Sequence, residues 1–218
     1  MDRQPDLYMP FPLQLWLIHP EPDACDTFRK RFEELPDVRV LKARFEDLGP
    51  HDCFVTAGNA FGIMTAGIDA AVVDFHSSDL MTRIQRRILD EYLGDQPVGT
   101  CFIQPTDTPG YPFVAHAPTM RMPGPIAGTD AVYRAAWAAF LAVYRHNADA
   151  RQNESAAIQT LVFPALGTGF GGISYSESAR QMAAAYRNYL NPPHRLDWDE
   201  AIARHKAVAF DGGEKVAR

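Results

Sequence analysis

The sequence predicts an α/β fold, a mainly parallel central sheet covered by helices on both faces, and three observations carry that prediction. Apolar runs of strand length alternate with longer amphipathic segments along most of the chain. Several of these runs are apolar throughout, as strands buried on both faces must be. Glycine-rich loops follow two of them, at the place where such sheets hold ligands beyond the carboxyl ends of their strands.

The elements follow in order. "LQLWLIH" (Leu13 to His19) is a short apolar strand closed by a proline, and Pro22 to Leu35 places Cys25, Phe28, Phe32 and Leu35 on one helical face. "VRVLKARF" (Val38 to Phe45) alternates with period two, and "CFVTA" (Cys53 to Ala57) reads as a fully buried strand. Leu80 to Gly94 repeats Leu80, Ile84, Ile88 and Leu89 at helical spacing and stops at a glycine. Val98 to Gln104 and Pro112 to Ala117 read as strands, Asp130 to Ala150 as a long Ala-rich helix, Ile158 to Ala165 as a strand and Ser174 to Leu190 as a helix. The Tyr133, Trp137, Phe140 and Tyr144 stripe on the long helix reads as core. After Pro192-Pro193 a short helix from about Asp197 to Arg204 precedes a polar tail. We therefore expect one domain over residues 1–195, with 196–218 packed on it or extending from it.

Composition bounds the function. The 218 residues, 46% hydrophobic and 22% charged, are those of an ordinary globular protein. A net charge of −6 argues against strong nonspecific binding to nucleic acid. Cys25, Cys53 and Cys101 are odd in number, widely spaced and without metal-ligand spacing, so they read as reduced thiols, with Cys53 and Cys101 inside strands and unsuited to act as nucleophiles. The start "MDRQPDLYMPFPLQLWLIHP" offers neither the apolar segment of a secretory leader nor a membrane span, and a cytoplasmic monomer with no membrane association is expected.

The two loops hold the chemistry. "AGNAFGIMTAG" follows "CFVTA", and "ALGTGFGG" follows "IQTLVFP". Backbone free of side chains can approach a phosphate and turn its N–H groups toward it, and two such loops at one sheet edge can clamp a diphosphate. Tight turns alone would also use glycine. Neither loop is followed by GK[ST] or has G-x-G-x-x-G spacing, so no nucleotide-hydrolysing or dinucleotide-cofactor motif is present and no cofactor or metal is expected.

Taken together, "DCFVTAGNAFGIMTAGIDAAV", "VGTCFIQPTDTPGYPFVAHAPTM" and "LVFPALGTGFGG" resemble the macrodomain family over roughly Val38 to Leu190, in the family's order. The "GNAFGIM", "APTMRMP" and "ALGTGFGG" variants are similar to a branch associated with phage-tail and bacterial genes. The resemblance implies a three-layer αβα sandwich on a mixed, mainly parallel six-stranded sheet, with ADP-ribose or an ADP-ribosylated macromolecule as partner. It implies that Gly67 and Ile68, opening a helix, and Gly167, Thr168, Gly169, Phe170 and Gly171 hold the diphosphate and distal ribose from two sides. It implies an acidic adenine contact at Glu46, with Asp47 as the alternative, and aromatic surface from Phe45 and Phe170.

Asn59 and Asp69, ten residues apart, match the spacing of the family's hydrolase members. The resemblance gives Asn59 the distal ribose hydroxyls, which an amide with donor and acceptor faces suits. It gives Asp69 the catalytic role of orienting or deprotonating a water, or of acting on the distal ribose itself. The competing structural reading of Asp69 is an acid favoured by a helix N-terminus. His116, alone on a buried strand, reads as core before it reads as a base. The family's run of glycines before its Val-Asp is interrupted here by Thr65-Ala66, and Gly171 stands where it often has a second aromatic, so the resemblance implies a slow enzyme or a narrow substrate range. An ADP-ribose reader without turnover, and a particle or effector component that keeps the fold for interaction, are the alternative functions.

Overall fold

The structure is a computed structural model that describes residues 11–153 and 156–217. The first ten residues, on which the expectation of no leader partly rests, lie outside those described.

Strand β1 (Gln14–Ile18) leads into helix α1 (Pro22–Phe32), strand β2 (Val38–Leu41) and strand β3 (Cys53–Thr56). Helices α2 (Gly67–His76) and α3 (Asp79–Tyr92) follow, then strands β4 (Phe102–Thr108) and β5 (Tyr111–His116). Helix α4 (Ala131–Asn153), strand β6 (Thr160–Pro164) and helix α5 (Tyr175–Leu190) complete the central unit. The sheet order is β2-β1-β6-β3-β5-β4, parallel throughout except for the antiparallel edge strand β4.

Side chains alternate across this sheet and define its two cores. Leu161 and Phe163 of β6, Cys53 and Val55 of β3 and Ala115 of β5 face α1, α4 and α5. Val162, Phe54 and Val114 from the same strands face α2 and α3, where Val72, Leu80, Ile84 and Ile88 meet them. Hence the three layers. Asp52 fixes the register of the last strand to arrive, because its Oδ2 accepts from the Gln159 and Thr160 amides at 2.8 Å each.

Several boundaries differ from the sequence reading, each for a physical reason. The period-two pattern of residues 38–45 runs past the end of β2: the paired register ends at Ile18 opposite Leu41, the last contacts are the His19 amide on the Leu41 carbonyl and the Ala43 amide on the His19 carbonyl, and Pro20 has no N–H with which to continue. Phe45–Asp47 instead form a short 3-10 turn. β4 starts later than expected, after a turn closed by the Thr100 amide on the Pro97 carbonyl, and runs on through Pro105, which an edge strand tolerates. Leu89 is 59% exposed, so the core stripe of α3 is Leu80, Ile84 and Ile88.

The polar tail forms structure too. Helix α6 (Trp198–Ala209) is longer than expected and ends in a small hairpin of β7 (Phe210–Asp211) and β8 (Glu214–Lys215), turned by Gly212 and Gly213. Arg31 of α1 grips Asp211 through both guanidinium nitrogens at 2.7 and 3.1 Å. Arg180 of α5, 5% exposed, pairs with Glu177 and donates to the Ala207 and Phe210 carbonyls. Among the described residues no helix is long and apolar enough to cross a membrane.

Candidate ligand cleft

β3 and β6 are adjacent in the sheet, so the loops at their carboxyl ends face each other across a cleft of about 480 Å³. The first loop is shaped by Asn59. Its Oδ1 accepts from the Phe61 and Ile63 amides at 3.1 and 3.3 Å, and its Nδ2 donates to the Ile63 carbonyl at 2.8 Å. The Asn59 amide thus staples its own loop while lining the cleft, which leaves one of its N–H bonds for a ligand.

The chain then enters α2 at Gly67, whose φ of +58° favours glycine. Ala66, at the N-cap, supplies no side-chain acceptor, so the first amides of α2 have no capping side chain to occupy them. Gly67, Ile68 and Asp69 all line the cleft. Asp69 is 9% exposed and its Oδ1 has no hydrogen-bond partner among the described residues. Burial pushes its carboxyl from 3.8 up to about 7. The helix N-terminus favours the ionised form, but desolvation outweighs it.

The second loop turns sharply after β6. Thr168 Oγ1 donates to the Ala165 carbonyl at 3.0 Å, the Gly172 amide to Gly169, and the Ile126 amide to Gly171 at 3.0 Å. A Cβ on Gly171 would run into the Gly167 carbonyl oxygen, so the loop closes only with glycine there. Gly167, Gly169, Phe170 and Gly171 line the cleft, with Phe170 65% exposed at its mouth. Thr168 is not among the residues that line it, and its hydroxyl is turned back to hold the loop.

Three further expectations are corrected. Phe45 is 3% exposed and packs edge-on against Phe54 and Phe75 at 4.6 and 5.2 Å, so it belongs to the α2 and α3 core and offers no aromatic surface to a ligand. Glu46 and the alternative Asp47 stand exposed on the 3-10 turn and do not line the cleft. The turn that carries them packs against α2.

Residues 55–182 match the family model described as Macro domain, more than half of the chain. The chain is a member of the macrodomain family. An uncharacterised protein of Aeropyrum pernix is 30% identical to this macrodomain over 149 residues, which make up 67% of this chain and 70% of that one. Among solved structures, an Oceanobacillus iheyensis macrodomain mutant with ADPR is similar at a TM-score of 0.53, with 18% identity over 65% of this chain and 72% of that one. The same organism's macrodomain with ADP is similar at 0.50, with 18% identity over 64% and 70% of the two chains. At such identities the likeness concerns the fold.

Ile63 and Thr65 of the first loop also line the cleft of this macrodomain. So do residues that sequence reasoning passed over, Thr119, Met120, Met122 and Pro123 after β5. The segment after β5 is sewn to the first loop: the Thr119 amide donates to Gly58, the Ala60 amide to Met120, and Asn59 bridges Met120. A larger hollow, about 720 Å³, lies at the opposite edge around Asp52, Asp107 and Gly110. It is a wide, shallow surface away from both glycine loops, and the cleft is the better candidate. His116 has no exposed surface, donates through Nδ1 to Gln96, and is held down at about 4 by burial, as a neutral core residue.

Proposed function

We propose that this macrodomain binds ADP-ribose between its two glycine loops and hydrolyses it from a modified protein or nucleic acid, or deacylates an ADP-ribose ester. Macrodomains similar to it in fold have been solved with ADPR and with ADP, which supports the ligand class. The cleft lining carries Asp69 but no Lys, Arg or His among the described residues, so the diphosphate would be held by backbone amides of the α2 start and the second loop.

The observation that carries the catalytic reading is the buried, unpartnered Oδ1 of Asp69, a residue that lines the cleft. A carboxyl poised at about 7 has the proton affinity a general base needs near neutral pH. In the proposed step Asp69 takes a proton from a water whose oxygen bonds to the electrophilic ribose carbon. The bond from that carbon to the modified group breaks, and the leaving group departs with the electron pair and receives a proton from Asp69 or solvent. In the ester case the same water attacks the acyl carbon, the bond from that carbon to the ribose oxygen breaks, and the ribose oxygen leaves with the electron pair and receives a proton from Asp69 or solvent.

Incubation with Asp-, Glu-, Arg-, Ser- and nucleotide-linked ADP-ribose tests this reading. ADP-ribose should bind with roughly micromolar affinity, about −8 kcal/mol. Asp69→Ala should bind within about tenfold of the parent and turn over about 10²–10⁴ more slowly. Equal turnover would remove Asp69 from the mechanism. Binding without turnover on any linkage would establish a reader module, which the commitment of the Asn59 amide to its own loop favours.

A further inference from the structure

A second polar group in the wall of the cleft is buried without a partner. Thr119 lies three residues beyond β5 and is 1% exposed. Its amide donates to the Gly58 carbonyl at 3.1 Å, and the next residue forms the bridge to Asn59, so its backbone is held against the first loop. The residue lines the cleft, and its buried Oγ1 has no hydrogen-bond partner among the described residues.

A buried hydroxyl ordinarily finds an acceptor close by. Thr168 does so, by turning back to the Ala165 carbonyl. Valine has the same shape and would satisfy packing at position 119 without the orphan oxygen. Of the cleft-lining side chains that follow β5, the others are Met120, Met122 and Pro123, so Thr119 is the polar group on that wall.

We propose that the Thr119 hydroxyl is a ligand-binding group that hydrogen-bonds a sugar hydroxyl at the Asn59 end of the cleft. The inference rests on the ADP-ribose reading above and extends it to the distal ribose. Its place beside Gly58 and Asn59 sets it on the wall opposite the second loop. A neutral hydroxyl that both donates and accepts matches a sugar hydroxyl, which does the same.

Calorimetric titration of the parent, Thr119→Val and Thr119→Ser with ADP-ribose and with ADP, which lacks the distal ribose, tests it. Thr119→Val should lose about tenfold for ADP-ribose. Its affinity for ADP should stay within about twofold, and Thr119→Ser should restore most of the ADP-ribose affinity. Unchanged ADP-ribose binding by Thr119→Val, or equal losses for both ligands, would overturn the proposal while leaving the ADP-ribose reading intact. A parent that binds ADP but not ADP-ribose, or neither, would overturn both.

Discussion

Gln96 and His116, neither with exposed surface, are joined by a 2.7 Å hydrogen bond behind the first glycine loop. The Gln96 amide nitrogen donates to the His116 and Thr100 carbonyls, so its oxygen must face the ring and His116 Nδ1 carries the proton. The Gln96 backbone amide in turn holds the Ala60 carbonyl at 2.9 Å. One residue therefore braces β5 through its side chain and the loop that carries Asn59 through its backbone.

Gln96→Leu should expose how much the backbone contact to the loop depends on the side chain that anchors Gln96 to β5. It would leave the His116 ring donor unpaired in the interior. Urea unfolding should show a loss of about 1–3 kcal/mol, with weaker ADP-ribose binding in the folded variant. Unchanged stability would mean that the buried pair carries no weight.

Asp69 should oppose folding once it ionises. Its folded pKa of about 7 lies above the ordinary 3.8, so the penalty is absent below pH 3.8, grows up to pH 7 and stays constant above. Asp69→Asn should therefore be more stable than the parent at pH 8, on the order of a few kcal/mol, with the gap closing toward pH 4. A parent as stable as the variant at pH 8 would contradict a desolvated carboxyl.

Histidines titrate the other way. Burial holds His51 below its ordinary 6.5 and, with the nearby His51 and Arg83 charges adding to it, His76 at about 4; His116 is held at about 4 by burial alone. Their neutral forms belong to the folded state, so nothing changes above pH 6.5 and stability falls as pH drops from there toward 4. Measured on Asp69→Asn, to remove the opposing carboxyl, urea midpoints should decline across that window. A flat profile would sink this account.

The second loop separates space from charge. Gly171→Ala should disrupt the loop and abolish ADP-ribose binding, because its Cβ meets backbone that cannot move aside. Gly169 faces open space, so Gly169→Ala should be tolerated. Gly169→Glu should keep the fold and lose binding, since a carboxylate would stand against the diphosphate. Normal binding by Gly169→Glu would show that this loop is not the phosphate clamp. Thermal midpoints and calorimetry distinguish the three.

How much of this was legible in the sequence depended on locality. The buried strands announced themselves as apolar runs, and both loops as glycine following a strand. Phe45 and Glu46 were misplaced because sequence spacing does not say on which side of α2 a turn will pack. Asn59 was read as a ligand group, whereas its own loop takes most of its hydrogen bonds, a competition that residue type does not reveal. Thr119 carried no signal of charge or glycine. Its place in the cleft follows from the pairing of β5 beside β3 over Cys53 to Thr56, a long-range fact.

The insertion of β6 between β1 and β3 also sets an order of events during synthesis. Asp52 and the Gln159 amide that it fixes are 107 residues apart, and β6 is the last strand of the large sheet to leave the ribosome. Until it arrives, β1 and β3 each present an open edge to any other strand, a hazard that lasts for most of translation. The wall supplied by the second loop comes later still. Nascent chains thus hold half a cleft, so a ligand that needs both walls can stabilise the finished protein but cannot guide the growing one.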